Sequence, residues 1–135
     1  MPAAAHALLT RYFNALNERD SRACLALLSD DVLLDINQGP REQGIKAFAD
    51  YLERTQRCYR ESIDNLQILT EPSGQRAACE FTLSGEYLST DDGLPDACGQ
   101  SYQLTAASFF EIRDGKICRV SQHFNLPEWL AQVDY

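Results

Sequence analysis

From residue 59 to residue 125 the chain is made almost entirely of runs in which apolar and polar residues alternate: 59–71, 76–89, 100–113 and 116–125. A period of two marks strands with one face turned to a core, so these runs commit the second half of the chain to a sheet. Pro72-Ser73-Gly74 and Asp114-Gly115 read as hairpin turns. The Asp-Gly pair is the stronger signal, because both residues accept the positive φ that tight hairpins require. The two middle runs are joined differently, by residues 89–99, a longer acidic loop containing Thr90-Asp91-Asp92-Gly93-Leu94-Pro95-Asp96.

Upstream of residue 59 the period changes. Over residues 4–17, Leu8, Leu9, Tyr12, Phe13 and Leu16 fall on one face of a helix. Asp20 reads as the N-cap of a second, short helix through Leu28, with Ala23, Cys24, Leu27 and Leu28 inward. Ser29-Asp30-Asp31 breaks it, a compact strand follows over 32–37, and Gly39-Pro40 ends that strand. Residues 45–57 return to helical spacing, with Ile45, Phe48, Ala49 and Leu52 on one side. Leu126-Pro127-Glu128 opens a last short helix carrying Trp129, Leu130 and Val133. Helices first and strands later predict an α+β fold, with helices packed on one face of a curved, mostly antiparallel sheet. At 135 residues, with no repeat and no linker, residues 1–135 read as one domain with room for a core and a small hollow inside it.

Charge narrows the partners. Lys and Arg total 12 against 20 Asp and Glu, a formal charge of -8, and residues 68–135 hold 4 of the basic but 10 of the acidic side chains. Such a balance supplies no basic face for a polyanion, so no nucleic-acid partner is expected. The acidic excess reads either as a solubilising surface or as repulsion of anionic ligands. No stretch approaches the ~20 apolar residues of a membrane span, and the start lacks the pattern of a signal peptide, so no membrane association is expected. Five cysteines without a C-x-x-C pair, an odd number, fit a reducing cytoplasm.

No sequence-local catalytic motif is present, and His6 and His123 lie too far apart to suggest a metal site by spacing, so neither a metal nor a cofactor is implied. Asp30-Asp31 reads as a solvated corner, and Asp91-Asp92-Gly93 as a turn lacking the further ligands of a calcium loop. Asp35 stands inside the apolar run Val32-Leu33-Leu34-Asp35-Ile36-Asn37. A carboxyl beside a pocket has its pKa raised by desolvation and can act as a general base or neutral donor, yet alternation also allows Asp35 to face solvent. His123 shares a strand face with Arg119, Ser121 and Asn125, as an exposed histidine or as an acid–base partner titrating near neutrality. Tyr12, on the apolar face of the first helix, is either a core phenol bonded to a carbonyl or a donor to an oxyanion in a cavity.

These residues resemble a family. LLTRYFNALNERDSRACLALLSDDVLLDINQG followed by REQGIKAFADYL is similar to the opening of the NTF2-like superfamily, especially ketosteroid isomerases and SnoaL-like polyketide cyclases. ACEFTLSGEY, SFFEIRDGKICRV and FNLPEWLAQV resemble the steroid-isomerase-related bacterial subgroup. The resemblance implies a cone in which helices close a bent sheet around an apolar pocket, and dimerisation through the outer sheet face. The isomerases use an Asp base with a Tyr and a protonated Asp as oxyanion donors. Carried over, the Tyr falls on Tyr12, the protonated Asp on Ser108 and the base on Ile36, so two of three groups are replaced and standard isomerase activity is not expected. Asp35, one residue from the base position, reaches the pocket only through a bulge or register shift.

The resemblance further implies a wall of Ile36, Phe81, Leu83, Phe110, Val120 and Phe124, with Tyr12, Ser108 and Gln122 as sparse polar contacts. The expectation is a homodimer that binds a small, largely uncharged apolar or aromatic molecule. Isomerase- or cyclase-type proton transfer would rest on Tyr12, Asp35 and His123. The alternative is a non-catalytic dimeric interaction module using the outer sheet face and FNLPEWLAQV, which exposed Trp129 and Leu130 would favour. Residues 89–99, longer than in the isomerases by about ten residues, would cover the cone mouth or extend the dimer contact.

Overall fold

The computed structural model describes residues 2–134. Helix α1 (Pro2–Asn17) buries Leu8, Leu9, Tyr12 and Phe13, the row expected from their spacing. Helix α2 (Ser21–Leu25) is capped by Asp20, whose side chain accepts the Ala23 N–H at 3.1 Å. It stops short of Leu28 because the Leu27 carbonyl is taken by the Ile117 N–H at 2.9 Å, which draws the chain into the sheet. Strand β1 (Leu28–Ile36) therefore begins early and contains Ser29-Asp30-Asp31, the segment expected to break the helix before the strand. That segment coincides with a register shift between Leu28 and Leu33, so its polar side chains sit where pairing is irregular.

Asn37 and Gln38, both with left-handed φ near 50° and 62°, turn the chain out of β1. The two-residue strand β2 (Glu42–Gln43), too short to show a period in the sequence, pairs antiparallel with β1. Helix α3 (Ile45–Cys58) follows, then strands β3 (Tyr59–Thr70), β4 (Arg76–Tyr87), β5 (Gln100–Arg113) and β6 (Lys116–His123). Their limits agree with the alternating runs to within two residues. Helix α4 (Leu126–Val133) starts at Asn125, whose side chain accepts the Glu128 N–H at 3.1 Å.

The six strands form one mixed sheet in the order β2-β1-β6-β5-β4-β3; β1 and β6 run parallel and the other neighbours antiparallel. A register shift in β3 between Asp64 and Gln67, with Asn65 at φ 54°, helps curl the sheet. The helices pack into the curl, giving the expected α+β architecture. Two apolar clusters occupy the concave side. One joins Leu9, Tyr12 and Phe13 of α1 and Phe48 of α3 to Phe81, Phe110, Ile117 and Val120 of the sheet. The other joins Tyr87, Tyr102 and Leu104 to Trp129 and Val133 of α4. Each fully buried Leu or Phe contributes about 1.5–3 kcal/mol, so these clusters fix where the helices lie. All five cysteines are free thiols, and no helix among the described residues is long and apolar enough to cross a membrane.

Candidate functional site

Between the two clusters the concave face is hollow. A cavity of about 460 Å³ runs from Ile36 and Phe124 to Tyr102 and Trp129, with Leu94, Asp91 and Asp92 of the 89–99 loop along one side. Toward α1 it adjoins an inner chamber of about 60 Å³ whose wall includes Tyr12, Phe13, Phe81 and Ser108. The two compartments share Tyr51, Thr55, Tyr59, Glu61, Leu83 and Gln122, which together form the throat. Tyr12, Phe81 and Ser108 thus lie in the inner chamber, Ile36 and Phe124 in the outer one, and Leu83 and Gln122 in both.

Phe110 and Val120 are corrections to the expected wall. Both are fully buried in the α1 cluster, with Phe110 edge-on to Tyr12 at 5.6 Å and to Phe13 at 5.9 Å between ring centres. At that end the helix rests directly on the sheet and leaves no hollow for them to line.

Asp35 and His123 are not brought to the cavity. The β1–β6 register is continuous through Leu34↔Val120, Asp35↔Ser121 and Ile36↔Gln122, so no bulge turns Asp35 inward. Its carboxylate instead takes two hydrogen bonds from Arg41, at 2.8 and 2.9 Å, and one from Arg119 at 3.2 Å. The Arg41 hydrogen bond, more than offsetting the cost of burial and aided by Arg119, holds this carboxyl below its usual range. It is a paired anion, the opposite of a desolvated base. His123 shares the same outer cleft, with Nε2 3.0 Å from Ser121 Oγ and its ring edge-on to the half-exposed Phe109.

Trp129 is also inside the protomer, 4% exposed, edge-on to Tyr87, Tyr102 and Tyr59 with ring centres 5.1–6.1 Å apart, and Leu130 packs against the same cluster. The exposed apolar patch that would have favoured an interaction module through α4 is absent. Residues 89–99 fold back onto this cluster. The Tyr87 hydroxyl donates to the Pro95 carbonyl at 2.7 Å and accepts the Asp91 N–H at 2.9 Å, while Tyr59 donates to Asp91 Oδ2 at 2.8 Å.

The cavity is apolar at its ends and carries its polar groups at the throat and the bottom. Tyr12 is 2% exposed, and its hydroxyl has no hydrogen-bond partner among the described residues. Burial raises its pKa well above the ordinary value, so it stays a neutral donor. Tyr51 donates to Gln122 Oε1 at 3.2 Å and is pushed up to about 12, mainly by burial. Glu61 is held above the ordinary carboxyl range by desolvation, against the opposing pull of the Tyr102 hydrogen bond and the nearby charge of Arg19. Tyr102 reaches Glu61 from two strands away. Glu61, Gly85 and Tyr102 are register partners across β3, β4 and β5, and a Cβ on Gly85 would come within 2.5 Å of the Tyr102 ring and closer still to its hydroxyl.

Glu61, Tyr51, Tyr59, Tyr102, Asp91 and Trp129 escaped the sequence-based site. A signal for the first was there: alternation places Glu61 on the same face as Tyr59 and Ile63, and an acid on an inward strand face must be paired or perturbed. Among the described residues no group of three His, Cys, Asp or Glu side chains is arranged to hold a metal.

A family model for a SnoaL-like domain matches residues 9–120. Among solved structures, a candidate polyketide cyclase of Pseudomonas putida KT2440 is 48% identical, with 96% of this chain and 97% of the other covered and a TM-score of 0.94. A candidate polyketide cyclase of Xanthomonas campestris pv. campestris is 44% identical, with 97% of each chain covered and a TM-score of 0.93. At 20% identity, an epoxide hydrolase of M. tuberculosis shares the fold, with 98% of this chain and 90% of the other covered and a TM-score of 0.78. No protein of curated function matches the chain.

Proposed function

Because the chain belongs to the SnoaL-like family of the NTF2-like superfamily, we propose that it binds a small, largely uncharged apolar or aromatic molecule and carries out isomerase- or cyclase-type proton transfer on it. The observation that carries this reading is the two-part cavity: about 460 Å³ walled by aromatic rings, narrowing to a chamber in which the Tyr12 hydroxyl has no protein partner. A flat apolar body stacks against Tyr102 and Trp129, and its polar end enters the inner chamber, where Tyr12 donates a hydrogen bond to a carbonyl oxygen. A neutral phenol in a desolvated site stabilises an oxyanion more effectively than water does, because it is already oriented and faces little competing solvent. The candidate polyketide cyclases at 44–48% identity support the cyclase side of the reading. Asp91, Asp92 and Glu61 outnumber Arg54 on the outer wall, and Arg54 lies 3.8 Å from Asp91, which makes an anionic body unfavourable there.

The sole tryptophan of the chain, Trp129, lines the cavity and provides the test. Titration with 2-tetralone, a neutral bicyclic ketone, is expected to change its fluorescence saturably, whereas 2-naphthoate, an anion of similar shape, leaves it unchanged. Tyr12→Phe weakens ketone binding about 3- to 10-fold, the worth of one neutral hydrogen bond. A Trp129 signal indifferent to both compounds would reject the pocket.

Pairing of two copies through the outer sheet face is a second part of the proposal. Half-exposed Phe109 stands there among Asp35 and Glu111 and Arg41, Arg76 and Arg119. Charges of both signs around an apolar centre suit a self-complementary two-fold contact. Sedimentation of the wild-type chain as a dimer and of Phe109→Asp as a monomer is expected; a wild-type monomer at micromolar concentration would dismiss the contact.

A further inference from the structure

Of the carboxylates carried by the described strands, Glu61 of β3 alone lines the cavity, on a strand where the sequence resemblance assigns no functional group. Glu61 borders both compartments. Its Oε2 accepts the Tyr102 hydroxyl at 2.5 Å, while Oε1 has no hydrogen-bond partner among the described residues. Arg19, the cation whose charge reaches it, does not pair with it: the guanidinium is turned onto the carbonyls of Tyr59, at 3.1 Å, and Gln56. The carboxylate is therefore clamped through one oxygen and available through the other. The clamp depends on a gap in the sheet, because Tyr102 lies over Gly85 where any larger residue would collide with it.

We propose that Glu61 is the catalytic acid–base residue of this cavity, acting on a neutral ketone whose carbonyl meets Tyr12, and that Tyr102, seated over Gly85, is its positioning residue. The proposal rests on the pocket reading above and adds the group that moves the proton. Glu61 Oε1 takes a proton from the carbon next to the carbonyl. The C–H bond pair becomes the enolate π bond, and the charge settles on the oxygen facing Tyr12. The proton now on Glu61 is returned to the same carbon or to a conjugated one, so the carboxylate is regenerated and nothing is oxidised or reduced. Desolvation makes Glu61 a stronger base than a carboxylate in water, in keeping with the raised pKa.

Deuterium exchange at the α-carbons of 2-tetralone in D₂O, followed by NMR with the full-length protein, tests this. The wild-type chain is expected to accelerate exchange over buffer, with a rate that falls on the acid side as Glu61 is protonated. Glu61→Gln, which keeps the shape, lowers the rate at least about 100-fold while Trp129 still reports ketone binding. Tyr102→Phe removes a hydrogen bond to the charged form and shifts the acid limb to higher pH, an effect that loss of packing alone does not produce. The groups facing Glu61 in that profile are Tyr102 from β5, Tyr51 from α3 and Arg19 from the turn after α1, with Tyr59 on its own strand; burial raises all three phenols, so they titrate far above the limb. Ketone binding without exchange by the wild-type chain, or wild-type exchange by Glu61→Gln, overturns the assignment and leaves the pocket standing. An unshifted limb in Tyr102→Phe overturns the positioning role. Absence of any Trp129 response removes the pocket and this assignment together.

Discussion

Asp35 and Glu61 are carboxylates on strands of one sheet, and the two faces of that sheet give them opposite characters. On the outer face Asp35 is surrounded by guanidinium groups, so its charge is matched and its pKa falls. On the inner face Glu61 has one phenol for a hydrogen-bond partner and is desolvated at the throat, so its pKa rises. Burial alone separates them poorly, since both lose water. What decides the outcome is whether the lost solvation is replaced by cations or by a single neutral donor.

The strongest way to break this contrast is to remove the outer charge. Asp35→Asn leaves Arg41 without its carboxylate and Arg119 with Glu111 alone, and is expected to cost about 2–3 kcal/mol of stability at pH 7 in urea unfolding. The wild-type pair is fully effective above the ordinary carboxyl value of 3.8 and loses its effect as pH falls through the lower folded value, so the gap between variant and wild type closes in acid. A loss of ketone exchange in this variant, with folding intact, would place Asp35 in the chemistry after all.

Gly85→Ala attacks the inner side. The added methyl displaces Tyr102 at a cost of about 1–3 kcal/mol, and the acid limb of exchange should move in the direction expected for Tyr102→Phe. A stable variant with an unmoved limb would show that the gap in β4 does not hold the pair together.

Glu61→Gln sharpens the contrast through stability. A carboxyl whose folded pKa is raised stabilises most fully below its ordinary value of 4.5 and loses that contribution as pH rises through the folded value. The glutamine variant should therefore melt slightly above wild type at pH 7 and level with it in acid, the reverse of Asp35→Asn. A lower midpoint at pH 7 would mean the cavity favours the charge. The smallest effect is expected from His123→Ala, within about 0.5 kcal/mol in stability and without change in exchange.

Much of this frame was legible in the sequence because period and turn chemistry are local. The four long strands and the inward row of α1 follow from spacing, whereas the placement of Tyr12, Ser108 and Gln122 on the cavity follows from the family resemblance. The alternation also allowed an outward Asp35, and a continuous register settled that choice. What could not be read is what depends on neighbours far apart in the chain. Tyr102 meets Glu61 only because three strands align and the middle one offers glycine. Asp35 finds Arg41 because a two-residue edge strand folds back beside it. Phe110 and Val120 alternate inward as a lining residue would, and only the closeness of α1 turns wall into solid core. Trp129 is hidden because α4 returns over Tyr87 and Tyr102.

The 89–99 loop supplies Asp91, Asp92 and Leu94 to the outer compartment and none of the inner wall. It lies outside the strand ladder, fastened to the body chiefly through the hydroxyls of Tyr87 and Tyr59 and the side chain of Gln100. On the proposed reading, selectivity and reactivity thus sit on separate parts of this scaffold. Exchanging one contiguous stretch of chain would redraw which molecules are admitted, while the floor on which Tyr12 and Glu61 stand is left as it was.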